Sequence, residues 1–195
     1  MIRRFASTSI KPDGLNRGGG INLNLDSTLD DYQYPVSVVS KNYSVICKFK
    51  VNQFLNDAPT ICAISPDPNQ YWMVLWVDSS GLKLACGRTG TGGNINTASY
   101  LIGPISLNKV YTVVYSFDYD LNKFTVRGDF KLDQTYPLND SKFGKGLPVP
   151  SNLGLSIGHL RPGRKAKFNG IVYDCIYFNY LMNKAQLINL YNKYK

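Results

Sequence analysis

The sequence predicts an all-β protein: a sandwich of two antiparallel sheets with a short C-terminal helix and an extended N-terminal arm. Three observations carry this. Hydrophobic residues make up 44% and aromatics 13% of the 195 residues, with 14 tyrosines, a composition that builds a core and favours strands. From Ile21 onward apolar residues recur at every second position, in short runs separated by Gly, Pro, Asn and Asp. Helical spacing takes over only at the C-terminal end.

The elements follow in order. Residues 1–20 hold Arg3, Arg4, Lys11, Arg17, Pro12 and the run Gly18-Gly19-Gly20. Such a segment buries little, so it is expected as a basic, Gly-rich arm held by a neighbouring chain, with residues 21–195 as the sandwich domain. Ile21, Leu23 and Leu25 alternate with asparagines as a first strand. In NYSVICKFKV, Tyr43, Val45, Cys47, Phe49 and Val51 share one face, which predicts a half-buried strand with Cys47 as a small core residue. QYWMVLWV is apolar on both faces: Tyr71, Met73, Leu75 and Val77 on one, Trp72, Val74 and Trp76 on the other. Such a strand lies centrally, covered on both sides, or lines a binding surface. DSSG turns the chain into LKLACG. KVYTVVYSFDYDLNKFTVRGDF reads as a hairpin turning at Asp118 to Asn122. Residues 133–154, with three prolines, read as a long loop, NLGLSIGHL as a strand, and RPGRKAK as a basic loop. Leu181, Ala185, Ile188, Tyr191 and Tyr194 form the apolar stripe of the closing helix, which Asn183 is placed to cap.

Charge and residue usage narrow the function. The formal net charge is +9, and all 13 acidic residues are Asp. Four cysteines (Cys47, Cys62, Cys86, Cys175) form no CxxC pair, so their spacing gives no zinc motif and no metal site is assigned. The opening MIRRFASTSI has no apolar h-region, so no secretion signal is read and free thiols are expected. No apolar run reaches membrane-spanning length. FDYDLN places Asp118, Asp120 and Asn122 like the start of a calcium loop but lacks its Gly and closing Glu, so a turn is the better reading. GRTGTGGN, without GK[ST] or a following helix, is an inter-strand loop and not a phosphate loop. His159 has no Ser or Cys partner at a triad-like position.

The order Arg127-Gly128, Ser156-Ile157-Gly158, Phe168-Asn169-Gly170, Phe178-Asn179 and Leu190-Tyr191 resembles the laminin G-like branch of the concanavalin A-like lectin/glucanase superfamily, from about Tyr43 to the end. The resemblance implies a jelly roll in which Gly170 permits a tight approach at the loop–strand junction and the helix covers an open end of the sandwich. Tyr173-Asp174 stands where the family has an acidic pair, and Arg127 where it usually has Asn. The family's hydrolases use paired glutamates, which this chain lacks, so no catalytic residue is assigned and no enzyme is expected. Calcium is common among laminin G-like domains, but no ligand set here matches; no cofactor is assigned.

Two functional expectations follow. The first is a non-enzymatic structural protein of a large assembly, most plausibly a phage virion component: a capsid decoration, head-fibre or tail-fibre protein, made in the host cytoplasm. Its contacts to neighbouring subunits would be Arg3, Arg4, Lys11 and Arg17 of the arm and Arg161, Arg164, Lys165 and Lys167 of the basic loop. Residue usage suited to an AT-rich genome agrees with this. Nucleic acid is a weaker partner for these cations because no nucleic-acid-binding motif accompanies them. The alternative is a carbohydrate-binding module or adhesin that recognises surface glycans through Tyr71, Trp72 and Trp76.

Overall fold

The structure is a computed structural model. It describes residues 2–6, 15–16, 20–23, 33–35, 42–55, 59–67, 71–89, 95–137, 154–158, 168–178 and 180–195. The alternation read in NYSVICKFKV becomes β5 (Tyr43–Gln53), whose Tyr43, Val45, Cys47, Phe49 and Val51 are buried in the main core. On one side β5 pairs antiparallel with β10 (Val110–Asp118), and on the other with β14 (Asn169–Phe178). β10 turns into β11 (Lys123–Gly128), which pairs with β12 (Lys131–Pro137). The β10–β11 turn lies where the sequence put it. The Asp118 carboxylate accepts the Leu121 N–H at 2.9 Å, and Asn122 takes the left-handed conformation (φ 49°) that Asn tolerates there.

β14 carries the far side of this eight-stranded sheet. It pairs with β3 (Gly20–Leu23), which pairs with β2 (Leu15–Asn16), and further along with β1 (Ile2–Ala6). Strands from segment 1–20, expected as an arm reaching outward, therefore lie on the domain's own sheet. The second sheet has six strands in the order β4 (Gln33–Pro35), β13 (Gly154–Ile157), β6 (Thr60–Asp67), β7 (Tyr71–Asp78), β8 (Gly81–Thr89) and β9 (Ile95–Gly103). β7 is central in it, as its two apolar faces required. The core between the sheets takes Ile61, Cys62, Ile64, Met73, Leu75, Leu84 and Ile157 from this sheet. The architecture is the expected all-β jelly-roll sandwich with a short C-terminal helix.

The closing helix α1 (Lys184–Tyr194) begins at Asn183, whose side chain accepts the Gln186 N–H while the Gln186 side chain accepts the Asn183 N–H, a complete capping box. Two expectations about α1 change. It lies against the outward side of the eight-stranded sheet and covers no open end of the sandwich: Leu187 and Tyr191 pack with Ile46 of β5, Val114 of β10 and Ile176 of β14. The buried stripe is also rotated. Leu181 and Ala185 are exposed, and Leu187, Leu190, Tyr191 and Tyr194 face the sheet, because the wide apolar strip there accommodates leucine and tyrosine where alanine would leave space. Tyr191 donates to the Asp129 carboxylate, and burial followed by that hydrogen bond pushes its hydroxyl up to about 12.

Further strands differ from the sequence reading. Residues 133–137 are strand, not loop, because β12 is an edge where terminal Pro137 costs no ladder hydrogen bond. Gly87, Arg88 and Thr89 extend β8 into what read as loop. Residues 138–153, the GTGGN part of the glycine-rich loop and His159 lie outside the described residues.

Gly170 has the close approach expected of it. A Cβ there would lie 2.2 Å from the Lys50 carbonyl oxygen and 2.6 Å from the Phe168 ring. The obstacle is the backbone of the neighbouring strand β5, so relief requires the strands to separate. Gly170→Ala is expected to cost about 1–3 kcal/mol, as overpacking in a core does. The check is urea denaturation of the two proteins; equal midpoints would show that the β5–β14 junction has slack.

Candidate functional site

Period two along β7 places Met73, Leu75 and Val77 in the core and puts positions 72, 74 and 76 on the outward side of the six-stranded sheet. The ladder extends this outward row across neighbouring strands. Val74 pairs with Ala63 of β6 and Ala85 of β8, and Ala85 with Ser99 of β9. One register step further along β7, Trp76 pairs with Thr60 and Lys83, and Lys83 with Leu101. The outward side thus carries an apolar strip through Ala63, Val74, Ala85 and Trp76. The first three belong to neither hydrophobic core, yet are only 0%, 4% and 5% exposed. Trp76 is half-buried, and Ser99 and Leu101 are exposed. The strip is closed to bulk water along its middle and open at its Trp76 end.

The indole has a charged neighbour. The Lys83 ammonium sits 4.7 Å from the centroid of the Trp76 ring, within cation–π range. Asp78 holds it there through a 2.6 Å ion pair. The other Asp78 oxygen accepts the Ser80 N–H at 2.8 Å and the Ser80 hydroxyl at 2.5 Å. Partial burial raises the Asp78 pKa, but the Lys83 and Ser80 hydrogen bonds outweigh it and hold the carboxyl below its ordinary value. The turn residues DSSG therefore fix a lysine against one face of the indole.

Of the three aromatic positions singled out from sequence, Trp76 is the one whose side chain is described. The backbones of Tyr71 and Trp72 stand opposite Arg88 and Gly87; their side chains lie outside the described residues. Among the assembly cations, Arg3 and Arg4 stand opposite Tyr177 and Ile176 on β14, described in backbone only. Lys11, Arg17, Arg161, Arg164, Lys165 and Lys167 lie outside the described residues.

A cavity on the other sheet has no counterpart in the sequence reading. On the helix side of the eight-stranded sheet, beyond the end of α1, a cavity of about 690 Å³ is lined by Lys48, Lys109, Thr112, Asp129, Tyr173 and Lys195. Its volume lies within the range of small-ligand sites. The Asp129 carboxylate is taken up by the Tyr191 hydroxyl and by the Thr112 N–H at 2.7 Å, which leaves three lysines lining the space. These residues come from β5, the β9–β10 connection, β10, the β11–β12 turn, β14 and the C-terminal residue following α1, so no local motif marks them.

No protein-family model and no curated protein matches the chain. Solved structures do match by fold. The CBM40 domain of the Ruminococcus gnavus IT-sialidase, in complex with α2,3-sialyllactose, superposes with a TM-score of 0.61 at 15% identity, covering 89% of this chain and 96% of that one. Domain 4 of AbnA, a GH43 extracellular arabinanase of Geobacillus stearothermophilus in complex with arabinotriose, gives 0.56 at 18% identity over 83% and 72%. A heptameric SAP-like pentraxin of Limulus polyphemus gives 0.59 at 16% over 85% and 77%. At these identities the likeness is one of fold alone, an antiparallel β-sandwich.

The Asp78–Lys83 pair has a definite pH sign. Because the folded-state pKa is lowered, its stabilisation is present above the ordinary Asp value of about 3.9 and is lost as pH falls through the lowered value. Asp78→Asn is expected to lower stability by about 0.5–1 kcal/mol at pH 7, the worth of a partly exposed pair. The gap from the parent protein should close in acid. Denaturant melts of both proteins across pH 2–7 check this, and a gap independent of pH would assign the loss to the turn hydrogen bonds instead.

Proposed function

We propose that this chain is a non-catalytic carbohydrate-binding domain whose ligand site lies on the outward side of the six-stranded sheet, at the open end of the strip marked by Trp76. The observation that carries the reading is an outward sheet face with an apolar centre and a half-open indole, against which no described element packs. An outward face of an antiparallel sheet is ordinarily polar. On the other sheet the apolar outward positions Ile46, Val114 and Ile176 are accounted for by α1. Sugar rings present flat C–H faces suited to stacking on an indole, and the Lys83 ammonium adds a donor for ring hydroxyls or a sugar carboxylate. The fold likeness to domains complexed with sialyllactose and arabinotriose supports the same reading. So does the absence of glutamate from the chain, since the glucanase mechanism of the superfamily has no residues to run on.

The expected virion role draws on residues 1–20 reaching a neighbouring subunit. With β1 and β2 on the domain's own sheet, no described observation favours that role over a free binding domain.

Both tryptophans of the chain lie on β7, so intrinsic tryptophan fluorescence reports on this strand alone. Titration with a panel that includes sialyllactose and arabinotriose is expected to shift that emission for at least one glycan. Trp76→Ala should weaken the same glycan tenfold or more, about 1.4 kcal/mol, with the far-UV CD spectrum unchanged. Undiminished binding by the variant, or no binding by the parent chain across the panel, would remove the site.

A further inference from the structure

The three cysteines Cys47, Cys62 and Cys175 are far apart in sequence, but the fold gathers them. Their sulfurs all lie within 4.8 Å of one another, and all three residues are fully buried as free thiols. They come from both layers of the sandwich: Cys47 from β5 and Cys175 from β14, directly opposite each other in the eight-stranded sheet, and Cys62 from β6 in the facing sheet. Two β-bulges put them in phase. A register shift between Thr60 and Cys62 lets consecutive residues Ile61 and Cys62 both enter the core, and one between Val172 and Asp174 lets both Val172 and Cys175 do so. Bulges are a recurrent means of re-aiming a side chain at a site. A second, independent feature points the same way. The Tyr115 hydroxyl, on β10, is completely buried, faces Cys62 and makes no hydrogen bond of normal geometry. A buried hydroxyl left unpaired is costly and calls for a partner.

We propose that Cys47, Cys62 and Cys175, with the Tyr115 oxygen as fourth ligand, form a buried binding site for a thiophilic d10 metal ion, Zn(II) or Cu(I), that ties the two sheets together. Three sulfurs bound at about 2.3 Å from one ion stand roughly 3.8–4.0 Å apart, so the cluster needs to contract by less than about 1 Å. The donor set contains no imidazole and no carboxylate, which selects soft ions over magnesium or calcium. Cysteine binds a metal as the thiolate, so loading displaces the three thiol protons to solvent and leaves one net negative charge with Zn(II) or two with Cu(I), which favours Zn(II) in an apolar core. With no solvent exposure at any of the three cysteines, loading accompanies folding.

The test refolds the full-length reduced chain from denaturant without metal, with equimolar Zn(II), or with equimolar Cu(I) under anaerobic conditions. It then measures metal content after desalting and the thermal midpoint. The expected result is one ion per chain for at least one metal. In a hundredfold excess over Kd, the thermal midpoint should rise by roughly 5–10 °C. Metal-edge X-ray absorption should show three sulfurs and one oxygen, a readout independent of any variant. Cys62→Ala and Cys175→Ala should lose the ion, and Cys86→Ala, which removes the buried thiol outside the cluster, should keep it. Three outcomes overturn the proposal: no metal retained with either ion, equal loss in Cys86→Ala, or a native chain lighter by two hydrogens with a pair of these cysteines joined as a disulfide.

Discussion

The pairing of β5 with β14 sets the phase for both sides of the eight-stranded sheet. In a strand, side chains alternate, so a slip of one residue would exchange every inward group for an outward one. The register Cys175 to Cys47, Ile176 to Ile46 and Tyr177 to Val45 places cysteines, Tyr177 and Val45 inward and both isoleucines outward. Gly170 permits the ladder to close beside the Lys50 carbonyl, and the bulge after Val172 corrects the alternation before Cys175. Were Tyr173 kept in a regular ladder with no bulge, the inward Val172 would imply an outward Cys175, and the strip that receives α1 would point into the sandwich.

The outward isoleucines then need a cover, and the chain supplies one through a short polar network. Ser44, fully buried on the outward side of β5, donates to the Tyr180 carbonyl at 3.0 Å, accepts the Met182 N–H at 3.0 Å and pairs with the Ser116 hydroxyl at 2.7 Å. These bonds fix where the chain leaves β14, Asn183 starts the helix one residue after Met182, and Leu187 and Tyr191 land on the strip. The six-stranded sheet has an apolar outward centre too, at Ala63, Val74 and Ala85, but no described helix lies over it. On one face the chain's own terminal helix covers the apolar strip, and on the other the middle of the strip is similarly buried while its Trp76 end stays partly open beside an anchored ammonium.

The inner faces hold a different asymmetry. Most of the core is aromatic and aliphatic, yet three of its four cysteine sulfurs gather at one point where strands of both sheets meet, beside the buried Tyr115 hydroxyl. Thiols scattered only to fill volume would have no reason to converge on a buried hydroxyl. The register shifts between Thr60 and Cys62 on β6 and between Val172 and Asp174 on β14 both lie beside this point.

Local spacing alone was enough to determine much of this protein. The alternation in β5 and β7, the β10–β11 hairpin with its Asp118–Asn122 turn and the Asn183 cap depend on neighbours two to four residues away, and all were legible; the close approach at Gly170 to Lys50 of β5 came only from the family resemblance. Trp76 was legible as a candidate, because an indole on the second face of a doubly apolar strand is a local anomaly. Tertiary structure decided the rest. It selected Leu187 over Ala185 for the buried side of α1, because the sheet beneath offers a wide apolar strip. It made 133–137 a strand by pairing it at an edge, and set residues of segment 1–20 on β14. It gathered Lys48, Lys109 and Lys195 around one cavity, and Cys47, Cys62 and Cys175 around one point. The physical reason is common to all of these: strand order and bulge phase decide which distant side chains meet, and neither is written in the spacing of residues along the chain.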